Sequence, residues 1–223
     1  ARFIARHLFN FFVADEPQVP AWETVSPRDP QAIEDLADVL IRNGFEIKPA
    51  LRLLFNSEFF KRAQFEKIKS PTELVVGIAR MTGGHDFPDV TDVNLAGLTT
   101  IMGQSLLNPP SVEGWHTGKE WITTGSLADR VNFASSEFGD SRKPGVQAII
   151  NRVKSYWDGK SAQDLVDNCL DQIGPLKVSD SSRQELIDHA RSTPAPAYSS
   201  LTDADRIKEM LQLIVAIPEY QTG

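Results

Sequence analysis

The sequence predicts an all-α protein, an irregular multi-helix bundle of about nine helices with one long ordered Gly/Pro/Trp loop. Three observations carry this expectation. Apolar residues recur at three-and-four spacing through most of the chain. Those stretches are bounded by capping residues and by glycine or proline stops. No segment shows sustained period-two alternation, and no Asn-Gly turn lies between two such runs.

The elements follow in order. Phe3, Ile4, His7, Leu8, Phe11 and Phe12 predict a first helix burying that stripe, with His7 as a hydrogen-bonded core residue. DEPQVPAWETVSPRD, broken by prolines, reads as a loop. Asp29 as N-cap, Pro30 at the first helical position, the stripe Ile33, Leu36, Ala37, Leu40 and Ile41, and the stop at Gly44 define a second helix. A short helix spans 48–56. Ser70, Pro71 and Glu73 form a capping box ahead of Leu74, Val75, Ile78 and Met81, closed by Gly83 and Gly84. A helix over 91–102 buries Leu95, Leu98, Ile101 and Met102 and leads into the loop, which ends near Thr124. Helices are then expected over 126–138, 146–157, 162–173 behind Ser161, 181–192, and 203–217 behind Thr202. Residues 139–145 and 193–200 lack apolar periodicity and read as hinges. They suggest subdomains at 1–138, carrying the 103–124 loop, and 146–223, with packing as one domain left open.

With 223 residues, 41% of them hydrophobic, the chain can bury a substantial core, and no apolar run is long enough to cross a bilayer. The formal charge of −7, with acids and bases interspersed, argues against a nucleic-acid partner. The single Cys169 excludes an internal disulfide framework and any multi-cysteine metal site. It falls in the stripe Leu165, Val166, Cys169, Leu170, Ile173 and reads as a buried hydrophobe rather than a reactive thiol. No HxH or HExxH spacing, phosphate loop, dinucleotide fingerprint or Gly-x-Ser-x-Gly is present, so no metal or cofactor is expected. The start on ARFIARHLFNFF, already inside an apolar periodic pattern, reads as a piece of a longer protein.

Chemistry is concentrated in GQSLLNPPSVEGWHTGKEW, residues 103–121. Pro109 and Pro110 stiffen it, while Gly114 and Gly118 allow backbone angles that other residues avoid. Trp115 and Trp121 either wall a slot for a sugar, peptide or cation, or plug the space between helices. His116 beside Glu113 is the general acid or base candidate, and His85 beside Asp86 could reach the same place. Arg130, one turn beyond Ser126, can point back toward Glu113 or Glu120, as a structural ion pair or as an anion-binding group. Asn132 follows on the same helix and joins Trp115, Trp121 and Arg130 as a candidate ligand contact.

Together ARFIARHLFNFFV, KSPTELVVGIARMTG, MGQSLLNPPSVEGWHTGKEWI, LADRVNF and IPEYQ resemble the C-terminal half of the bacterial domain of unknown function 1800. The resemblance rests on Glu73 and Arg80, on Met102, Gly103, Gln104, Pro109, Pro110 and Val112, on Gly114, Trp115, Gly118 and Trp121, and on Arg130 and Asn132. It implies an exported protein, periplasmic or extracellular, whose partners are its own N-terminal half and an exported sulfatase- or phosphatase-like neighbour. The expected function is a scaffold or binding module of the cell envelope for a partner protein or glycan. The alternative is a hydrolase-like enzyme acting on an envelope polymer through Glu113, His116 and Arg130.

Overall fold

The computed structural model describes residues 1–84, 92–115, 117–158, 161–192 and 202–223. Among these residues there are eleven α-helices and no β-strand. The all-α class is as the periodicity predicts, and the helix count is higher than nine. One source of the difference is the short α4 (Glu58–Arg62), which starts where α3 (Ile47–Asn56) stops: Ser57 accepts the Phe60 backbone N–H and so caps a new turn.

Caps readable over four residues form as expected. Asp29 accepts from the Ala32 N–H at the start of α2 (Pro30–Arg42). Ser70 and Glu73 close a capping box on α5 (Pro71–Thr82), and Thr202 with Asp205 does the same on α11 (Asp203–Ile214). The first helix, α1 (Arg2–Phe12), turns a different face inward. Ala5, Phe9 and the following Val13 are buried, whereas Phe3 and Phe11 are exposed. Ala5 offers the small surface that lets α1 pack closely on α2. His7 is exposed rather than a core residue, and meets Phe3 edge-on and Trp22 at a tilt.

The remaining helices are α6 (Asp92–Ile101), α7 (Thr124–Gly139), α8 (Pro144–Tyr156), α9 (Ala162–Ile173) and α10 (Asp180–Ser192). The buried apolar side chains gather in two clusters. One draws on α1 to α3 (Ala5, Phe9, Leu36, Leu40, Leu54) and the other on α5 to α11. Phe133 and Phe138 of α7 and Val146 and Ile149 of α8 belong to the same second cluster, so 139–145 lies within one core. Gly145 sits against the Met81–Thr82 backbone, where an added Cβ would come within 2.1 Å of the Met81 carbonyl oxygen. The interruption between cores falls instead at the connector 64–70. The other expected hinge, 193–200, lies outside the described residues.

The connector is held by residues distant in sequence. Lys69 N–H donates to the Gln221 carbonyl at 2.8 Å and Gly223 N–H to the Lys67 carbonyl at 2.9 Å, around an antiparallel bridge of Ile68 with Thr222. On its other side, Ile68 N–H donates to Asp15 Oδ2 at 2.7 Å and Lys67 Nζ to the Asn10 carbonyl at 2.7 Å. The two cores therefore meet along a polar seam, next to which the Gly/Pro/Trp loop lies.

Candidate functional site

The loop is anchored at both ends. Gly103, at φ 101°, ends α6 by a reversal in which Gln104 N–H donates to the Thr99 carbonyl at 2.7 Å. Gln104 Oε1 then accepts from the Thr72 N–H at 2.9 Å and hydroxyl at 2.7 Å, which ties the loop to the first turn of α5. At the far end a 3₁₀ turn, Gly118–Trp121, buries Trp121. Ser126 Oγ donates to the Trp121 carbonyl at 2.8 Å, and the Thr123–Ser126 box starts α7. Between these anchors the Trp115 indole N–H donates to the Ser105 carbonyl at 3.1 Å and closes the base of a projecting tip. Leu107 (97% exposed, φ 62°) and Val112 (106%) stand on that tip.

The candidate residues are placed separately. Trp121 is only 5% exposed and plugs the body, while Trp115 is half-buried. Glu113 is exposed on the tip, Glu120 is exposed on the 3₁₀ turn, and Asn132 is exposed on α7. His116 and His85 lie outside the described residues. Arg130 is completely buried. Its Nε donates to Gln221 Oε1 at 2.8 Å and its Nη2 to the Lys69 carbonyl at 2.6 Å. The expected turn of Arg130 toward Glu113 is thus corrected: Ser126, Arg130, Phe133 and Ala134 share the inward face of α7, which points Arg130 at the seam.

Electrostatics at the seam follow from burial. Burial pushes Arg130 down to about 10, with Glu73 opposing the shift. Burial first and the Arg130 charge second push Lys69 down to about 8. Lys69 Nζ donates to the Tyr220 carbonyl at 2.8 Å and sits 4.4 Å over the Tyr220 ring. These shifted cations serve as internal clamps. Sequence reasoning missed Lys69 and Gln221 as functional positions, although both fall in segments, KSPTEL and IPEYQ, that carry the family resemblance.

Beside the seam a cleft of about 470 Å³ opens between the first core and the loop. Asp15 and Arg28 line it from the segment before α2, Phe65 and Glu66 from the connector, and Gly118 and Glu120 from the loop. Burial raises the Asp15 carboxyl, opposed by the Ile68 N–H and the Lys67 charge. Arg28 pairs with Glu66. Gly118 approaches so closely that a Cβ there would lie 2.9 Å from Asp15 Cβ. Behind the cleft the buried pair Arg6–Glu16, at 2.6 Å, fixes the Asp15–Pro17 turn, with Glu16 Oε1 also accepting the Arg28 N–H at 2.8 Å. A second groove of about 450 Å³ runs along α1 between Phe3, Trp22 and Ile33. No group of three or more His, Cys, Asp or Glu among the described residues is arranged to hold a metal ion. None of the helices described is long and apolar enough to cross a membrane.

Fold and site together define an all-α protein with two helical cores joined at a buried polar seam and an ordered loop walling the cleft beside it. The chain belongs to the family described as protein of unknown function (DUF1800), which it matches over residues 1–222. No curated protein and no solved structure matches it.

Proposed function

We propose that this chain is a non-catalytic helical binding module of an exported cell-envelope protein, and that the anchored 103–123 loop holds a partner protein or glycan. The observation that carries the reading is the use made of Arg130. Its guanidinium is spent on the Lys69 carbonyl and Gln221, inside the protein, while Glu113 stands exposed on the loop tip. A hydrolase needs its acid, base and anion-stabilising group within hydrogen-bond reach of one reacting atom. The residues that anchor the loop, Gln104, Trp115, Gly118 and Trp121, set backbone shape or fill space, which suits a fixed recognition surface. The periplasmic or extracellular setting, and the exported sulfatase- or phosphatase-like neighbour as partner, belong to the same reading and rest on the family.

The test is to incubate the purified chain with peptidoglycan sacculi and follow both sedimentation and soluble reducing ends. Binding without release of sugar agrees with the module. Release that disappears in Glu113→Gln would replace it with the hydrolase reading.

A further inference from the structure

We propose that the cleft between the first core and the loop is a carbohydrate site that takes a neutral or amino sugar. This rests on the reading of the chain as a binding module and gives that module a ligand class. The volume of about 470 Å³ lies in the range of small-ligand sites, and such sites favour junctions between separately packed units.

A pyranose presents a C–H face and a rim of hydroxyls. It is recognised by an aromatic ring against the face, with carboxylate acceptors and guanidinium donors along the rim. The cleft brings these groups together from three distant segments: Phe65 as the ring, Asp15, Glu66 and Glu120 as carboxyls, and Arg28 as the guanidinium. The charges there balance in pairs, Glu66 with Arg28, Asp15 with Lys67 at 3.8 Å and Glu16 with Arg6, which sets Lys119 against Glu120 on the loop wall. With no surplus of cations to hold its carboxylate, a uronic acid is disfavoured there against a neutral or amino sugar.

Two backbone features shape the cleft. Phe65 is held at φ 63°, a region costly for a residue with a Cβ, and such strain gathers at ligand sites. Gly118, at φ 63°, brings the loop wall against Asp15 with no room for a side chain. Because Phe65 lies in the left-handed region, Phe65→Gly removes the ring and relieves the backbone, and the relief offsets part of the packing lost with this half-buried side chain.

The experiment is calorimetric titration of the intact chain with oligomers of N-acetylglucosamine, oligomers of glucosamine, trigalacturonate and trilysine. The neutral or the amino oligomer should bind, and Phe65→Gly should weaken that binding about tenfold or more while the chain still melts in one transition within about 5 °C of the parent. Unchanged affinity in Phe65→Gly, or binding of only trigalacturonate or trilysine, overturns the proposal. If no sugar binds while the chain still sediments with sacculi, the carbohydrate assignment fails and the module stands. If the sugar binds and is cleaved, the non-catalytic reading fails and the cleft assignment stands.

Discussion

Arg130 Nε donates to Gln221 Oε1 at 2.8 Å, joining side chains 91 residues apart that are both buried. With Nη2 on the Lys69 carbonyl, the same guanidinium grips both chain segments that form the seam. Arg130→Met removes both bonds and leaves the Lys69 carbonyl and the Gln221 amide buried without that donor. The expected loss is about 3 kcal/mol or more, or at least about 6 °C in melting temperature for a domain of this size. Arg130→Met combined with Gln221→Ala should cost less than the sum of the two, because each change already breaks the shared bond. Thermal and urea denaturation of the three variants checks this.

Lys69 gives the stability a pH dependence of definite sign. Its folded value of about 8 lies below the ordinary 10.5, so between those values the unfolded chain binds more protons than the folded one and stability rises with pH. The Cys169 thiol, pushed up to about 12 by burial from an ordinary 9.0, acts the other way. Its contribution is full below about pH 9 and declines above it. The urea midpoint should therefore rise between about pH 7.5 and pH 9, and Lys69→Met should flatten that slope.

Two glycines should respond oppositely to alanine. At Gly118 the Cβ would strike Asp15 at 2.9 Å from a φ of 63°, so Gly118→Ala should destabilise by about 1–3 kcal/mol. At Gly77, in the middle of α5, nothing lies within 4 Å of the added carbon. Gly77→Ala should stabilise by about 0.5–1 kcal/mol through helix propensity and chain entropy. Melting temperatures decide both.

The tryptophans of the loop divide by burial. Trp121→Ala should cost about 3–5 kcal/mol, as for a core aromatic, and shift the mean tryptophan emission to the red, with the equally buried Trp157 keeping a blue component. Trp115→Ala should cost less, about 2 kcal/mol, since half of that ring already faces water and the rest closes the tip through Ser105.

Local signals were legible and distant ones were not. Asp29 with Pro30, Ser70 with Glu73, and Thr202 each encode a helix start within a few residues, and each forms as read. The inward face of α1 was misread because Phe, Ile and Leu occupy most of its circumference. Packing on α2 favours the side that carries Ala5 over the one richest in apolar residues. For Trp115 and Trp121 the sequence left slot wall and plug open, and burial makes Trp121 the plug. The partners of Arg130 were not, because Lys69 and Gln221 lie 61 and 91 residues away. The cleft was hidden for the same reason: its lining comes from 15–28, 65–68, 117–120 and Thr222, and of these only 117–120 falls in a stretch that the sequence singles out.

The bond from the Ile68 amide to Asp15 Oδ2 also makes the seam a reporter of motion. It joins the connector to the first core, so this amide exchanges with solvent when the two cores part even if both stay folded. The Lys69 and Gly223 amides, paired between the connector and the C-terminal turn, stay protected in that opening. A ligand that spans Asp15 and the loop wall would slow exchange at the Ile68 amide and leave the other two unchanged.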